Sequence, residues 1–364
     1  MRVGLWAGSP LPLFHPDRRD VRGVRHALTF GTKIQVAADA NERPLHCHHE
    51  KIVVIDDCVA FVGGIDLTTF AGDRYDTSGH EARGSVGWHD AATVLRGPNV
   101  ADVAEHFRGW QSVTAEPLPP PRRPPCAGAV QAQLVRTVPE RLYQGVCGGD
   151  FSILEAYMRG LRSARELIYL ENQFLWSSEI AEILQGKLAH PPTGDFRLVL
   201  LPPARPNDGA DDTRGQLGDL IECDGGAGRL LACSLYALGP LGPQQVYVHA
   251  EIGIVDDRWL TRGSANLNEH SLFNDTEVNV VTCDAQIARE TRLRLWSEHL
   301  DRPAREISGP PARVVDEVWK PIAAEQARRR KAGEPRTHRL GLLPGVSRHT
   351  RRLLGPVNGL LVDG

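Results

Sequence analysis

Apolar positions along the chain follow two rhythms. Ile153, Leu154, Tyr157 and Leu161 recur at the three- and four-residue spacing of a helix, and a second helical stretch covers Ile180 to Leu188. Between and after them lie short apolar runs of strand length: Leu167 to Leu170, Phe196 to Leu201, Arg229 to Leu235 and Val246 to His249. Strands alternating with helices predict an α/β sheet covered on its faces. Earlier in the chain, Val3 to Trp6 matches Leu198 to Leu201, and Lys33 to Ala37 matches Leu230 to Leu235. Nothing before Val3 matches the helix, strand and helix of Phe151 to His190, so the first half is either built differently or, the preferred reading, an N-terminally shortened version of the second. Glu116 to Pro125 is Pro-rich and reads as an extended spacer. The expected division is a first half at 1–115, a linker at 116–125, a second half at 126–312 and a basic C-terminal tail at 313–364.

Within residues 43–70 and 243–270 one pattern occurs twice. The first copy runs from His49 through Lys51 and Asp56 to Gly63-Gly64-Ile65-Asp66; the second runs from His249 through Glu251 and Asp256 to Gly263-Ser264-Ala265-Asn266. A doubled pattern of this length marks an internal duplication. Side chains at i and i+2 of a strand share a face, so His49 lies beside Lys51, and His249 beside Glu251. An imidazole next to a fixed cation suits attack on a phosphodiester: the ring supplies nucleophile or acid, and the cation holds phosphate oxygens. Two-residue turns at Asp57-Cys58 and Asp257-Arg258 would place Asp56 and Asp256 at hairpin ends as structural residues. The same register sets Arg262 opposite Gly253 and diagonal to Glu251, where it could offset lost positive charge.

The doubled pattern resembles the signature of the phospholipase D superfamily, His-x-Lys-x4-Asp-x6-Gly-(Gly/Ser)-x-(Asp/Asn), two copies of which face each other across one site. Further likeness lies in Arg74-Tyr75-Asp76-Thr77, Gly87-Trp88-His89-Asp90, Tyr169-Leu170-Glu171-Asn172-Gln173-Phe174 and Asn274-Asp275-Thr276-Glu277. The resemblance implies two similar α/β sandwich halves related by a pseudo-twofold, with the active site at their interface. It implies hydrolysis of a glycerophospholipid to phosphatidic acid and an alcohol, with transphosphatidylation as a side reaction. A phosphatidyl transferase of the cardiolipin-synthase kind is the runner-up within the family. By that likeness His49 is the nucleophile and forms a phosphohistidine, His249 is the acid on the leaving alcohol, and Lys51, Asp66 and Asn266 line the phosphate pocket. Asp76 and Asp275 are candidates to orient the opposite histidines, with Glu277 an alternate for Asp275, while His89 and Asp90 read as structural polar residues. No metal or cofactor is implied, and of the run His46-Cys47-His48-His49 only His46 and His48 share a face.

The second copy departs from the signature at Glu251. At an effective dielectric near 20, a charge about 4 Å from the phosphate is worth on the order of 4 kcal/mol. Exchanging Lys for Glu therefore predicts a loss of several powers of ten in rate, and a phospholipid- or phosphate-binding homologue of impaired activity is the rival reading.

Charge narrows the partners. Forty-two Lys and Arg stand against 45 Asp and Glu, and residues 45–300 hold no basic stripe, which counts against nucleic acid. Seven cysteines without repeated spacing suggest no disulfide framework and suit a reducing compartment. No apolar run approaches the roughly 18 residues of a spanning helix. The chain is read as cytoplasmic, with at most peripheral membrane contact.

Overall fold

The computed structural model describes residues 1–10, 16–40, 46–66, 82–83, 86–111, 118–205, 210–239 and 242–344. The first half contributes β1 (Arg2–Trp6), α1 (Arg18–Thr29), β2 (Gln35–Asp39), β3 (Lys51–Ile55), β4 (Val59–Gly63), β5 (Ala82–Arg83), β6 (Val86–His89), β7 (Ala92–Arg96) and α2 (Asn99–Gln111). The second contributes β8 (Ala132–Val138), β9 (Asp150–Phe151), α3 (Ser152–Ser163), β10 (Leu167–Glu171), α4 (Ser178–Ala189), β11 (Arg197–Leu201) and α5 (Ala210–Asp224). It continues with β12 (Leu230–Gly239), β13 (Gly242–Val248), β14 (Ile252–Val255), β15 (Trp259–Gly263), β16 (Glu277–Thr282) and α6 (Ala285–Leu300). The chain then forms α7 (Pro311–Val314), α8 (Lys320–Lys331) and β17 (Leu340–Leu342).

The mixed α/β character is as expected, and one 12-stranded sheet carries the second half, in the order β5-β6-β13-β12-β11-β10-β14-β15-β16-β8-β9 with β17 on β12. Its centre is β10, every residue of which is buried; it runs parallel to β11 and antiparallel to β14. Burial on both faces explains why this strand reads as a continuous apolar run rather than an alternating one. One face packs on α3 and α4 through Ile153, Tyr157, Leu161, Ile180 and Leu184, and the other on α6 through Trp296, on Trp319 just before α8, and on α8 through Ala323. The strand β6 pairs in parallel with β13, so first-half sequence is woven into this sheet.

The remaining first-half strands form two separate pieces, β1-β2 and β3-β4-β7. In the second half β10 joins the pair β11-β12 to the hairpin β14-β15; among the described residues no strand joins β1-β2 to β3-β4 in that way. The outward face of β3-β4-β7 exposes Val53, Ile55, Phe61 and Val94. The corresponding face of β14-β15 is covered by α3, where Gly160 lets the helix approach so closely that an added Cβ would stand 2.7 Å from Trp259.

Two sequence expectations change. Residues 313–344 do not hang free as a tail: Trp319, Ala323 and Leu340 are buried, and β17 pairs with β12. The hairpin turns have three residues, not two, since Ile55 pairs with Val59 and Val255 with Trp259. Asp56 and Asp57 (φ 52° and 55°) and Asp256 and Asp257 (both 52°) take left-handed conformations, which Asp tolerates better than most residues. The turn adds a residue, and the register shifts by one. Arg262 therefore lies opposite Ile252, on the other face from Gly253. No helix among the described residues is long and apolar enough to cross a membrane.

Candidate active site

His49 lies just before β3, its backbone N–H donating to the Thr276 carbonyl at 3.1 Å. Its Nδ1 faces Glu277 Oε1 at 2.9 Å and the Ser264 carbonyl at 3.0 Å, two acceptors that assign the ring proton to this nitrogen. The other nitrogen, Nε2, then accepts from Lys51 Nζ at 2.9 Å. Lys51 also donates to the His49 carbonyl and lies 3.5 Å from Asp66 Oδ1. Burial disfavours the Asp66 charge, but Lys51, His249 and His49 outweigh it and hold its carboxyl below the ordinary range. That electrostatic reach brings first-copy and second-copy residues to one locus.

His249 follows β13, its N–H donating to the His89 carbonyl at 2.8 Å. Its Nδ1 lies 2.9 Å from Asp90 Oδ2 and 3.8 Å from Glu251 Oε1. Asp90 is fixed by the Ala91 N–H and by Trp88 Nε1, and the Trp88 ring stacks on Tyr247 with His249 beside it. Each histidine is thus held by an acid from the other half: His49 by Glu277, and His249 by Asp90.

Of the orienting candidates, Glu277 touches His49, whereas Asp275 turns to Cys47 and His46. Asp275 accepts from the Cys47 N–H at 2.7 Å and stands 4.0 Å from His46. Asp76 lies outside the described residues. Asp90, read from sequence as merely structural, takes the orienting place on His249. Gly63 pairs with Ala92 and Gly263 with Asn279, so Asp90 and Glu277 each stand two residues before the partner of a motif glycine. The family likeness pointed to Asp76 instead; the first half carries more residues between motif glycine and acid than the second. Burial pushes the Glu277 carboxyl up to about 8, against the pull of Lys51 and of the Ser264 and Ser271 hydroxyls that donate to it.

Asn266 is buried near the site, and Asn172 steadies its segment by accepting from the Leu267 N–H at 3.1 Å. Asp256 accepts from the N–H groups of Arg165, Glu166 and Leu167, and Asp257 grips Arg292 with both oxygens, so the second hairpin end is tied to its surroundings. Asp56 lies in the first turn. Arg262 donates to the Ala92 carbonyl at 2.9 Å and does not share a face with Gly253, so the compensating position derived from the two-residue turn is withdrawn. Of the histidine run, His46 contacts the Asn274 carbonyl, and His48 contacts Asp39 and Thr276.

Behind the site Glu171 joins His89 at 2.7 Å to His299 at 2.9 Å, with the Tyr169 hydroxyl donating to the same carboxylate. Burial opposes the His89 charge, but Glu171 and Glu298 overcome it and raise its pKa to about 10. His299 carries no sequence signal, since it lies in the last turn of α6, far along the chain from its partners. Ligand atoms of His89, Glu171 and His299 lie within 4.8 Å of one another, as do those of Asp90, His249 and Glu251. In both groups the imidazole nitrogens already meet carboxylates at hydrogen-bond distance, and we read both as hydrogen-bonded polar networks.

The arrangement offers an unprotonated Nε2 on His49, a cation beside it, and an acid-supported imidazole on His249. No family model matches the chain. In sequence it is 26% identical over 391 residues to Phospholipase D A of Dictyostelium discoideum, covering 81% of this chain and 30% of that protein. It is 26% identical to Phospholipase D1 of Schizosaccharomyces pombe (70% and 27% covered) and 24% identical to Phospholipase D1 of Mus musculus (87% and 36%). The chain spans about a third of the length of these curated relatives. Among solved structures, phosphatidylserine synthase of Haemophilus influenzae shares the fold with a TM-score of 0.51 at 10% identity, covering 85% of this chain and 76% of that one.

Proposed function

We propose, from a chain whose sequence relatives are phospholipases D, that this protein is a phosphodiesterase of that superfamily and cleaves glycerophospholipids to phosphatidic acid and an alcohol. The observation that carries the reading is the crossed pairing of two histidines with acids from opposite halves, His49 with Glu277 and His249 with Asp90, beside the Lys51 ammonium.

The steps follow from the tautomers. His49 Nε2 attacks phosphorus, a P–N bond forms, and the bond to the leaving alcohol breaks as its oxygen takes a proton from His249. Lys51 moves from Nε2 to the phosphate oxygens as charge grows there. Water then gives a proton to His249 while its oxygen replaces His49 on phosphorus. An alcohol in place of water yields a new phosphatidyl ester by the same route. Asp66 and Asn266 border the pocket and position the phosphate.

The test is to incubate the chain with phosphatidylcholine and with phosphatidylglycerol, with and without ethanol, and identify the products. Phosphatidic acid, and phosphatidylethanol when ethanol is present, is the expected result. Binding of these lipids with no product would favour the impaired homologue that Glu251 brings into view.

A further inference from the structure

The two motif copies part company at one position, and the side chains there go to different edges of their histidines. Lys51 Nζ meets Nε2 of His49, the edge that faces the phosphate in the proposed reaction. Glu251 instead approaches the rear edge of His249, with Oε1 3.8 Å from Nδ1 and beside Asp90. Glu251 is fully buried, and its backbone holds φ at 37°, a region that costs a non-glycine residue free energy. Its Oε2 fills the space beside Gly64, where an added Cβ would stand 2.1 Å away. The counterpart of Gly64 is Ser264, whose hydroxyl donates to Glu277. A glycine in the first half thus makes room for a glutamate in the second, and backbone strain is retained to seat it.

We infer that Glu251 is a positioning residue that keeps His249 protonated, making His249 the dedicated acid and leaving His49 the dedicated nucleophile. This rests on the phosphohistidine reading above. Asp90 and Glu251 face Nδ1 of His249, Asp66 is within electrostatic range, and Lys51 and His49 are the groups that share Asp66 with it. Trp88 and Tyr247 pack against the ring and favour a cation there. Two carboxylates at the rear edge of a buried imidazole cost least when that ring is charged. Around His49 the balance reverses, since an ammonium at Nε2 opposes a second positive charge. In the first step His249 delivers its proton to the departing alkoxide as the P–O bond breaks. In the second it takes a proton from water as the P–N bond breaks, and Glu251 favours that return.

Two measurements on Glu251→Gln, which keeps the shape and removes the charge, test the inference. In the first, histidine ring resonances are followed against pH; the His249 midpoint should fall by about one pH unit or more. In the second, the burst rate of the first step, read as release of choline or nitrophenol before the first turnover is complete at about pH 8, is compared between phosphatidylcholine and phosphatidyl-p-nitrophenol, whose leaving group departs without a proton. Loss of the acid should slow the choline ester about ten-fold or more while the nitrophenyl ester changes less than about three-fold. Glu251→Ala, which removes the carboxylate, should lower the midpoint in the same direction and serves if Glu251→Gln does not fold. An unchanged midpoint, or equal losses on the two esters, overturns the inference. A parent chain inactive on every phosphodiester would overturn the proposed function instead, and the titration would still decide the role of Glu251.

Discussion

At the scale of single residues, the site works as a unit, so its variants should not add. His49→Ala and His249→Ala are each expected to lower turnover on the order of 10³-fold or more, with the double variant little worse than either. Full additivity of the two losses, read from kcat/KM, would mean that the histidines serve separate sites. Asp90→Ala removes the acceptor that fixes the His249 ring while leaving the phosphate pocket alone. It should lower kcat about 10²-fold and leave KM within about three-fold; a rise in KM with kcat kept would place Asp90 on substrate instead.

At the scale of elements, the spacing of Gly160 against Trp259 decides how α3 sits on the hairpin β14-β15. A methyl group there would stand 2.7 Å from the indole, so Gly160→Ala should cost about 1–3 kcal/mol in a denaturant melt despite the higher helix propensity of alanine. Elements with strong local signals could be read from sequence. The spacing of Ile153, Tyr157 and Leu161 marks α3, and the apolar runs mark β10 and β11. The turn was harder, because Asp-Asp-Cys and Asp-Asp-Arg look like ordinary hairpin residues whether the loop holds two or three of them. That single residue moved Arg262 to the other face. The histidines were legible because their motif is contiguous. Asp90 was not, because its bond to His249 spans 159 residues and depends on where β7 meets β4. The basic run Arg328-Arg329-Arg330-Lys331 drew attention from the apolar side of α8, where Ala323 packs; Arg328 and Arg329 are paired with Glu325 and Glu334.

At the scale of the whole molecule, the buried pair His89–Glu171 ties a first-half strand to the central strand of the large sheet. Burial lowers and Glu171 raises the His89 pKa, with a net value of about 10 against the ordinary 6.5. The folded chain therefore holds this proton more tightly than the unfolded one. The resulting stabilisation is full below about pH 6.5 and is lost as pH climbs through about 10. The unfolding midpoint of the parent should fall toward that of His89→Gln between about pH 7 and pH 10.5; a gap of constant size over that range would show that the pair does not titrate with folding. The broken first-half sheet has a dynamic consequence. Among the described residues the pair β1-β2 has no third strand to share its hydrogen bonds, whereas β10 is flanked on both sides by β11 and β14. Amide deuteration should reach β1 and β2 well before β10 and β11, through openings far cheaper than global unfolding. His48 beside the nucleophile is anchored to Asp39 at the end of β2. On warming, the nucleophile should lose its support while the bulk of the large sheet is still folded, so activity is expected to fade at a temperature below the cooperative melt.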